Sequence, residues 1–325
     1  MRPRHVATAM GVTAVVLAGA RRLPRFRPLL LLARLSPRSR SRAQKLLFKA
    51  GYYAVNRFIS SAEIGFLNYG YAPIDERVEQ LELSPESEVD RYGIQLYDKI
   101  VGAVSLRGLD VLEVGCGRGG GAAFVFERRE PRTMTGLDLS ARAIETCRRR
   151  YARPGLRFVA GDAERLPFPD ASVDAVVNVE SSHCYPSMDR FLAEVTRVLR
   201  PGGMLLFADL RATRNEDAGD EPGRADVARL RSQIAAAGLV VVDEEDITAN
   251  VVRALALNSP RMRALIERRA PNPIRSEVLN FAAVEGSATY RSFETRELSY
   301  LRMILRPAPD ATDAAAVAAE SSPSP

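Results

Sequence analysis

Two histidines occur in the 325 residues, His5 and His183, so proton chemistry beyond the first few positions falls to His183. An imidazole takes and returns protons near neutral pH, which suits it to remove the proton of an attacking alcohol. Asp209 is spaced to close the strand that follows, where a carboxylate would hold the other ring nitrogen and fix the tautomer. Each residue also has a plainer reading, His183 as a satisfied structural histidine and Asp209 as a loop or cap residue. Beside them, Cys184 reads as a pocket wall and Tyr185 as an acceptor contact.

A second set of residues is of the kind that binds. Gly115-Cys116-Gly117-Arg118-Gly119-Gly120 satisfies G-x-G-x-x-G, whose glycines let backbone approach a phosphate, a ribose or an amino-acid tail. Alone, the pattern suits NAD, another adenosine ligand, or a tight turn that binds nothing. Asp138 is placed to accept from both ribose hydroxyls. Asp162 is placed to accept from an adenine amino group, with the Ala163 amide donating to a ring nitrogen. Asn178 and Glu180 lie below the remaining end of such a ligand. Asp138 as a helix cap and Asp162 as a turn former are the bland alternatives, but three such residues at consecutive strand ends point to adenosine.

The elements that must position these groups alternate. Residues 88–104 have helical spacing. Strands are predicted at 109–114, 133–137, 156–160 and 172–179, with a fifth at 204–208 after the turn Pro201-Gly202-Gly203. Helices run from the glycine loop to about Arg129, from the Ser140 cap to Arg150, and through Met188, Phe191, Leu192, Val195 and Val198. This order predicts an α/β fold with a mainly parallel sheet covered on both faces, its ligands at the carboxyl ends of the strands.

Leu112-Glu113-Val114-Gly115-Cys116-Gly117, Gly136-Leu137-Asp138-Leu139-Ser140, Gly161-Asp162-Ala163-Glu164 and Val198-Leu199-Arg200-Pro201-Gly202-Gly203 resemble the successive motifs of class I methyltransferases, over about residues 106–210. The resemblance implies a Rossmann-like, seven-stranded sheet and S-adenosylmethionine as cofactor. It carries a cofactor role to Glu113, Gly115, Cys116, Gly117 and Gly119 around the loop. Asp138, Leu139, Asp162, Ala163, Asn178 and Glu180 complete that set.

A longer resemblance, from about Phe66 to Leu305, rests on Glu63-Ile64-Gly65-Phe66-Leu67-Asn68-Tyr69-Gly70-Tyr71, Gly119 to Gly121 and Asn178-Val179-Glu180-Ser181-Ser182-His183-Cys184-Tyr185-Pro186. Phe207-Ala208-Asp209-Leu210-Arg211 and Glu297-Leu298-Ser299-Tyr300 extend it. These are similar to the phthiotriol/phenolphthiotriol dimycocerosate methyltransferase family, which implies methylation of a hydroxyl on a hydrophobic lipid or polyketide. A sugar, a peptide or a carbon centre as acceptor, and a non-catalytic cofactor-binding protein, are the alternatives.

The division that follows is a basic, apolar extension over 1–45, a helical cap over 46–105, and the cofactor-binding core over 106–245. Residues 246–306 form a helical substrate-side insertion and last strand, and 307–325 a disordered tail. Tyr52, Tyr53, Phe58, Ile59, Phe66, Leu67, Tyr69 and Tyr71 either pack on the core or line an acceptor tunnel, with Tyr69 the expected contact. Val251, Val252, Leu255, Leu257, Met262, Leu265 and Ile266 would supply the other wall.

The net charge of +6 misleads. Residues 1–62 hold 13 of the 46 Lys and Arg and no acidic residue, leaving 33 basic against 40 acidic in the remainder. An acidic folded part argues against a nucleic-acid partner. The arm reads as an unstructured extension, a segment lying on an anionic membrane surface, or a signal, and the run Val6–Ala20 is too short to span a bilayer. Cys116, Cys147 and Cys184 lack disulfide or metal spacing, and no metal is expected. The expected location is cytoplasmic, where the cofactor is made, with membrane contact through the arm. Oligomeric state is not legible.

Overall fold

A computed structural model describes residues 64–75, 77–78, 81–213 and 226–308. The basic arm, Tyr52, Tyr53, Phe58, Ile59 and Glu63, most of the expected tail and the first part of the expected cap lie outside the described residues. After a short 3-10 turn, the elements run α1 (Arg91–Val101), β1 (Asp110–Val114), α2 (Gly120–Arg129), β2 (Thr133–Asp138), α3 (Ala141–Tyr151), β3 (Leu156–Ala160) and β4 (Val173–Val179). Then come a 3-10 turn (Ser182–Cys184), α4 (Met188–Val198), β5 (Leu199–Ala212), α5 (Val227–Ala236) and β6 (Leu239–Asp246). The last described elements are α6 (Thr248–Arg269), α7 (Asn272–Phe281), α8 (Ala288–Glu294) and β7 (Leu298–Pro307).

The seven strands form one sheet in the order β3-β2-β1-β4-β5-β7-β6. β1 to β5 are mutually parallel, and β7 runs antiparallel to both β5 and β6. Along each central strand, successive residues enter opposite cores. Val111, Ala175, Val177, Leu206 and Ala208 join the layer of α1, α2, α3, α6 and α8, whereas Leu112, Val176, Leu205 and Phe207 join that of α4 and α5. Burial on both faces explains why the strands read as near-continuous apolar runs.

The chain winds outward from β1 to β3, then returns to lay β4 against β1. That reversal opens a crevice between the ends of β1 and β4, the place where open α/β sheets bind ligands. Ser140, Ser187, Asp226 and Ser287 cap α3, α4, α5 and α8 by accepting from backbone N–H groups three residues on.

Three boundaries differ from the sequence expectation. The first helix is shorter, because residues 88–90 form the 3-10 turn. The fifth strand starts earlier: Leu199 pairs with Val173 and Met204 with Ala175, so the Pro-Gly-Gly stretch bulges within the strand instead of preceding it. It also continues to Ala212, because β7 offers a partner for every residue from Leu205 onward. That partner lies some ninety residues away, outside any local pattern.

Candidate active site

The glycine loop is anchored from the β2 side. Gly115 N and Cys116 N both donate to Leu137 O, at 2.7 and 2.9 Å. Asp138 joins two elements: Oδ2 accepts from Gly117 N at 3.0 Å and Oδ1 from Ser140 N at 2.8 Å, while Ser140 itself caps α3. Leu139 beside it is 42 % exposed. Gly119 opens α2 directly. The Cys116 side chain is buried in the core, its Sγ against Gly136, while Cys147 Sγ donates to Gly117 O of the loop at 3.5 Å. Asp162 Oδ1 accepts from Glu164 N at 3.0 Å, and Ala163 packs in the α4–α5 core layer.

Glu113, at the end of β1, is 1 % exposed, and Oε1 accepts from Tyr97 Oη at 2.5 Å. Burial raises its pKa to about 7 against that hydrogen bond. Its Oε2 is buried without a partner, as is Asn178 Oδ1 across the crevice. Unpaired buried acceptors are costly, and a ligand ammonium would satisfy such a group. The site thus fits the amino-acid end of S-adenosylmethionine as well as its nucleoside.

The candidate base and its partner meet where the 3-10 turn after β4 comes against β5, with Asp209 inside that strand rather than at its end. His183 Nδ1 lies 2.8 Å from Asp209 Oδ1, with the imidazole 25 % exposed and Asp209 fully buried. Asp209 Oδ2 also accepts from Ser182 Oγ at 2.6 Å and from His183 N at 2.9 Å, Oδ1 from Leu210 N at 2.8 Å, and Arg211 Nη1 stands 3.2 Å from Oδ2. Burial alone would raise the Asp209 pKa, but the charges of His183 and Arg211 hold it below the ordinary carboxylate range. A carboxylate so supplied with donors is an acceptor only, so Nδ1 of His183 carries a hydrogen and the neutral ring has its lone pair on Nε2. Burial opposes a charge on the imidazole, yet Cys184 and Asp209 outweigh it and place the His183 pKa well above 6.5.

A strap of residues 64–72 crosses this end of the sheet. Arg118 of the glycine loop donates to Ile64 O at 2.6 Å, and Asp90 accepts from Gly65 N at 2.7 Å. Tyr69 N donates to Glu180 Oε2 at 2.8 Å, and Ala72 N to Asn250 O at 3.2 Å. Glu180 also accepts from Tyr300 Oη of β7 at 3.0 Å, and adopts φ +48°, a strained conformation for a residue other than glycine. Burial raises its pKa to about 8, offset in part by Tyr69 N–H and the His183 charge. The triple glycine admits this layer and α1 beneath it: a Cβ on Gly120 would lie 2.8 Å from Gly65 O and 3.0 Å from the Phe66 ring, and one on Gly121 2.1 Å from the Tyr97 ring of α1.

Of the residues expected to meet the acceptor, Tyr69 packs edge-on to Phe293 and donates to Phe281 O at 3.2 Å. Tyr185 turns toward Gly115 and Asn178, on the cofactor side. Val251 and Leu255 share a core with Tyr69, while Met262, Leu265 and Ile266 share one with Leu67; Leu257 is 51 % exposed and faces away from both. Ser182, Arg211 and Tyr300 complete the site without having been assigned a role from sequence. Arg211 had a legible signal: two residues after Asp209, it lies on the same face of the strand.

The fold and this site define a class I methyltransferase that uses S-adenosylmethionine. A family profile described as a methyltransferase domain matches residues 112–207. A phthiotriol/phenolphthiotriol dimycocerosates methyltransferase of Mycobacterium tuberculosis is 40% identical over 275 residues, covering 80% of this chain and 96% of the relative. A fatty-acid O-methyltransferase of Mycolicibacterium smegmatis is 40% identical over 248 residues, covering 76% and 84%. Among solved structures, geranyl diphosphate methyltransferase in complex with the cofactor superposes with a TM-score of 0.58 at 18% identity, over 75% of this chain and 99% of that one. The chain belongs to the phthiotriol/phenolphthiotriol dimycocerosates methyltransferase family. Among the described residues, no helix is long and apolar enough to cross a membrane.

Proposed function

We propose that the chain methylates a hydroxyl of a hydrophobic lipid or polyketide, with His183 as the general base. The His183–Asp209 pair carries this reading: a partly exposed imidazole, oriented by a buried and ionised carboxylate, at the end of the strand that flanks the cofactor crevice. When bound, S-adenosylmethionine supplies a methyl group activated by its positive sulfur. The glycine loop, Asp138 and Glu113 would hold the cofactor by its ribose and amino-acid end. The strap and the helices after β6 exclude water and offer apolar walls to a long acceptor. His183 Nε2 takes the hydroxyl proton as the oxygen attacks, and Asp209 stabilises the imidazolium through Nδ1–H. Arg211 and Ser182 keep Asp209 ionised and in place.

A second reading draws on the relative named as a fatty-acid O-methyltransferase. A carboxylate acceptor is already deprotonated and needs no base, and an imidazolium at His183 would steady its charge. The readings separate with labelled cofactor and matched long-chain alcohol and fatty-acid acceptors. The first expects label in the alcohol product, lost in His183→Ala. Label confined to a methyl ester supports the second, and label in neither refutes both acceptor assignments.

A further inference from the structure

Beside the glycine loop lies a pair of hydroxyls that the transfer step does not use. A Cβ on Gly115, which holds φ +81°, would stand 1.9 Å from Ser181 Oγ and 2.8 Å from Tyr185 Oη, so both hydroxyls reach the loop where a ligand approaches it. They bond each other at 2.7 Å. Asn178 Nδ2 donates to Val114 O at 2.8 Å and to Tyr185 Oη at 3.0 Å. Only an amide NH2 can donate to a carbonyl, so the orientation of Asn178 is settled and both its hydrogens are used.

Ser181 and Tyr185 carry two hydroxyl hydrogens, and whichever residue donates, one closes the bond between them. The other has no acceptor among the described residues and is left beside Gly115. Tyr185 already accepts from Asn178, which favours Tyr185 as donor to Ser181 and Ser181 as holder of the surplus hydrogen. Two buried acceptors without a hydrogen-bond donor flank the same turn, Glu113 Oε2 and, beside Tyr185, Asn178 Oδ1. One surplus hydroxyl hydrogen together with two free acceptors suits a zwitterion, the hydroxyl for its carboxylate and the acceptors for its ammonium.

Resting on the cofactor assignment above, we propose that Ser181, aligned by Tyr185 and Asn178, holds the carboxylate of the cofactor's amino-acid end. Ser181 is a positioning residue for the methyl donor, and Tyr185 acts through it. The ring of Tyr185 is held edge-on against Phe191 at 5.0 Å between centroids, which keeps its hydroxyl at the loop.

The test compares S-adenosylmethionine with its decarboxylated form, which keeps the sulfonium and the amine, by calorimetric titration of the full chain. Wild type is expected to prefer the carboxylated ligand, and Ser181→Ala to reduce that preference by about tenfold to a hundredfold, mainly by weakening the carboxylated ligand. Tyr185→Phe keeps the ring packing, removes only the hydroxyl, and is expected to reduce the preference by a smaller factor. Equal weakening of both ligands, or an unchanged preference in both variants, overturns the proposal. Wild type that binds neither ligand overturns the cofactor assignment beneath it.

Discussion

The two halves of the site are built in different ways. The proposed cofactor half, at the ends of β1 to β3 with Ser181 and Tyr185 reaching in after β4, rests largely on backbone: glycine-loop amides and the Leu137 carbonyl, with acidic side chains at the ends of the strands. The proposed transfer half, around β4, β5 and β7, is side-chain work across long distances. Glu180 meets Tyr69 and Tyr300, 111 and 120 residues away in sequence, and His183 meets Asp209 at a separation of 26. A shared cofactor requires a reproducible backbone cradle, whereas an acceptor is met by whichever side chains the later elements bring in.

If the halves are separable, damage to one should spare the other. The largest effect belongs to the transfer half. His183→Ala should lower turnover on an alcohol acceptor by roughly 10²–10⁴, with S-adenosylhomocysteine affinity unchanged by calorimetry. Asp209→Asn should act in the same direction, since an amide no longer stabilises the imidazolium.

The converse break is Gly115→Ala. Its Cβ would lie 1.9 Å from Ser181 Oγ at a backbone angle of +81°. Cofactor affinity should fall by roughly tenfold or more, measured by titration, with the His183–Asp209 pair intact.

A third prediction concerns the buried acids at the junction. Glu113 and Glu180 keep protons up to about 7 and about 8 in the folded chain, against 4.5 when exposed. The folded state therefore binds more protons than the unfolded one, and stability should fall as pH rises through that window. His183 has the same sign, its contribution full below 6.5 and lost as pH climbs through its raised pKa. Thermal melts should show Tm declining toward pH 8, with a shallower slope in Glu180→Gln. A Tm that rises over this range contradicts the burial argument.

The smallest effect is Tyr300→Phe, which removes one hydrogen bond to Glu180. A loss of about 1 kcal/mol in stability and a few-fold lower turnover are expected, with unchanged cofactor affinity. Equal losses in turnover and cofactor affinity would show the halves to be coupled through Glu180.

The same division governs what could be read from sequence. β1 to β4 and the glycine loop were legible because each motif sits at the end of its own strand, and burial on both faces makes the central strands β1 and β4 rich in apolar residues. His183 and Asp209 were legible as neighbours because they lie near the same edge of adjacent parallel strands, although Asp209 does not close its strand: β5 runs on to Ala212 because β7 pairs with it. The direction of side chains was not: the Cys116 thiol enters the core against Gly136, and Tyr185 turns to the glycine loop with its ring edge-on to Phe191. Nor was the reach of Tyr300, since nothing local shows that β7 will insert between β5 and β6.

The most direct test of proton removal by His183 is the pH dependence of single-turnover methyl transfer to a long-chain alcohol, with the cofactor saturating. The account predicts a rate that rises with pH, with a midpoint above the ordinary histidine value of 6.5, because the base must first lose the proton that Asp209 and Cys184 help it hold. In His183→Gln that limb should vanish along with most of the rate. A wild-type rate that is flat or falls with rising pH would contradict proton removal by His183.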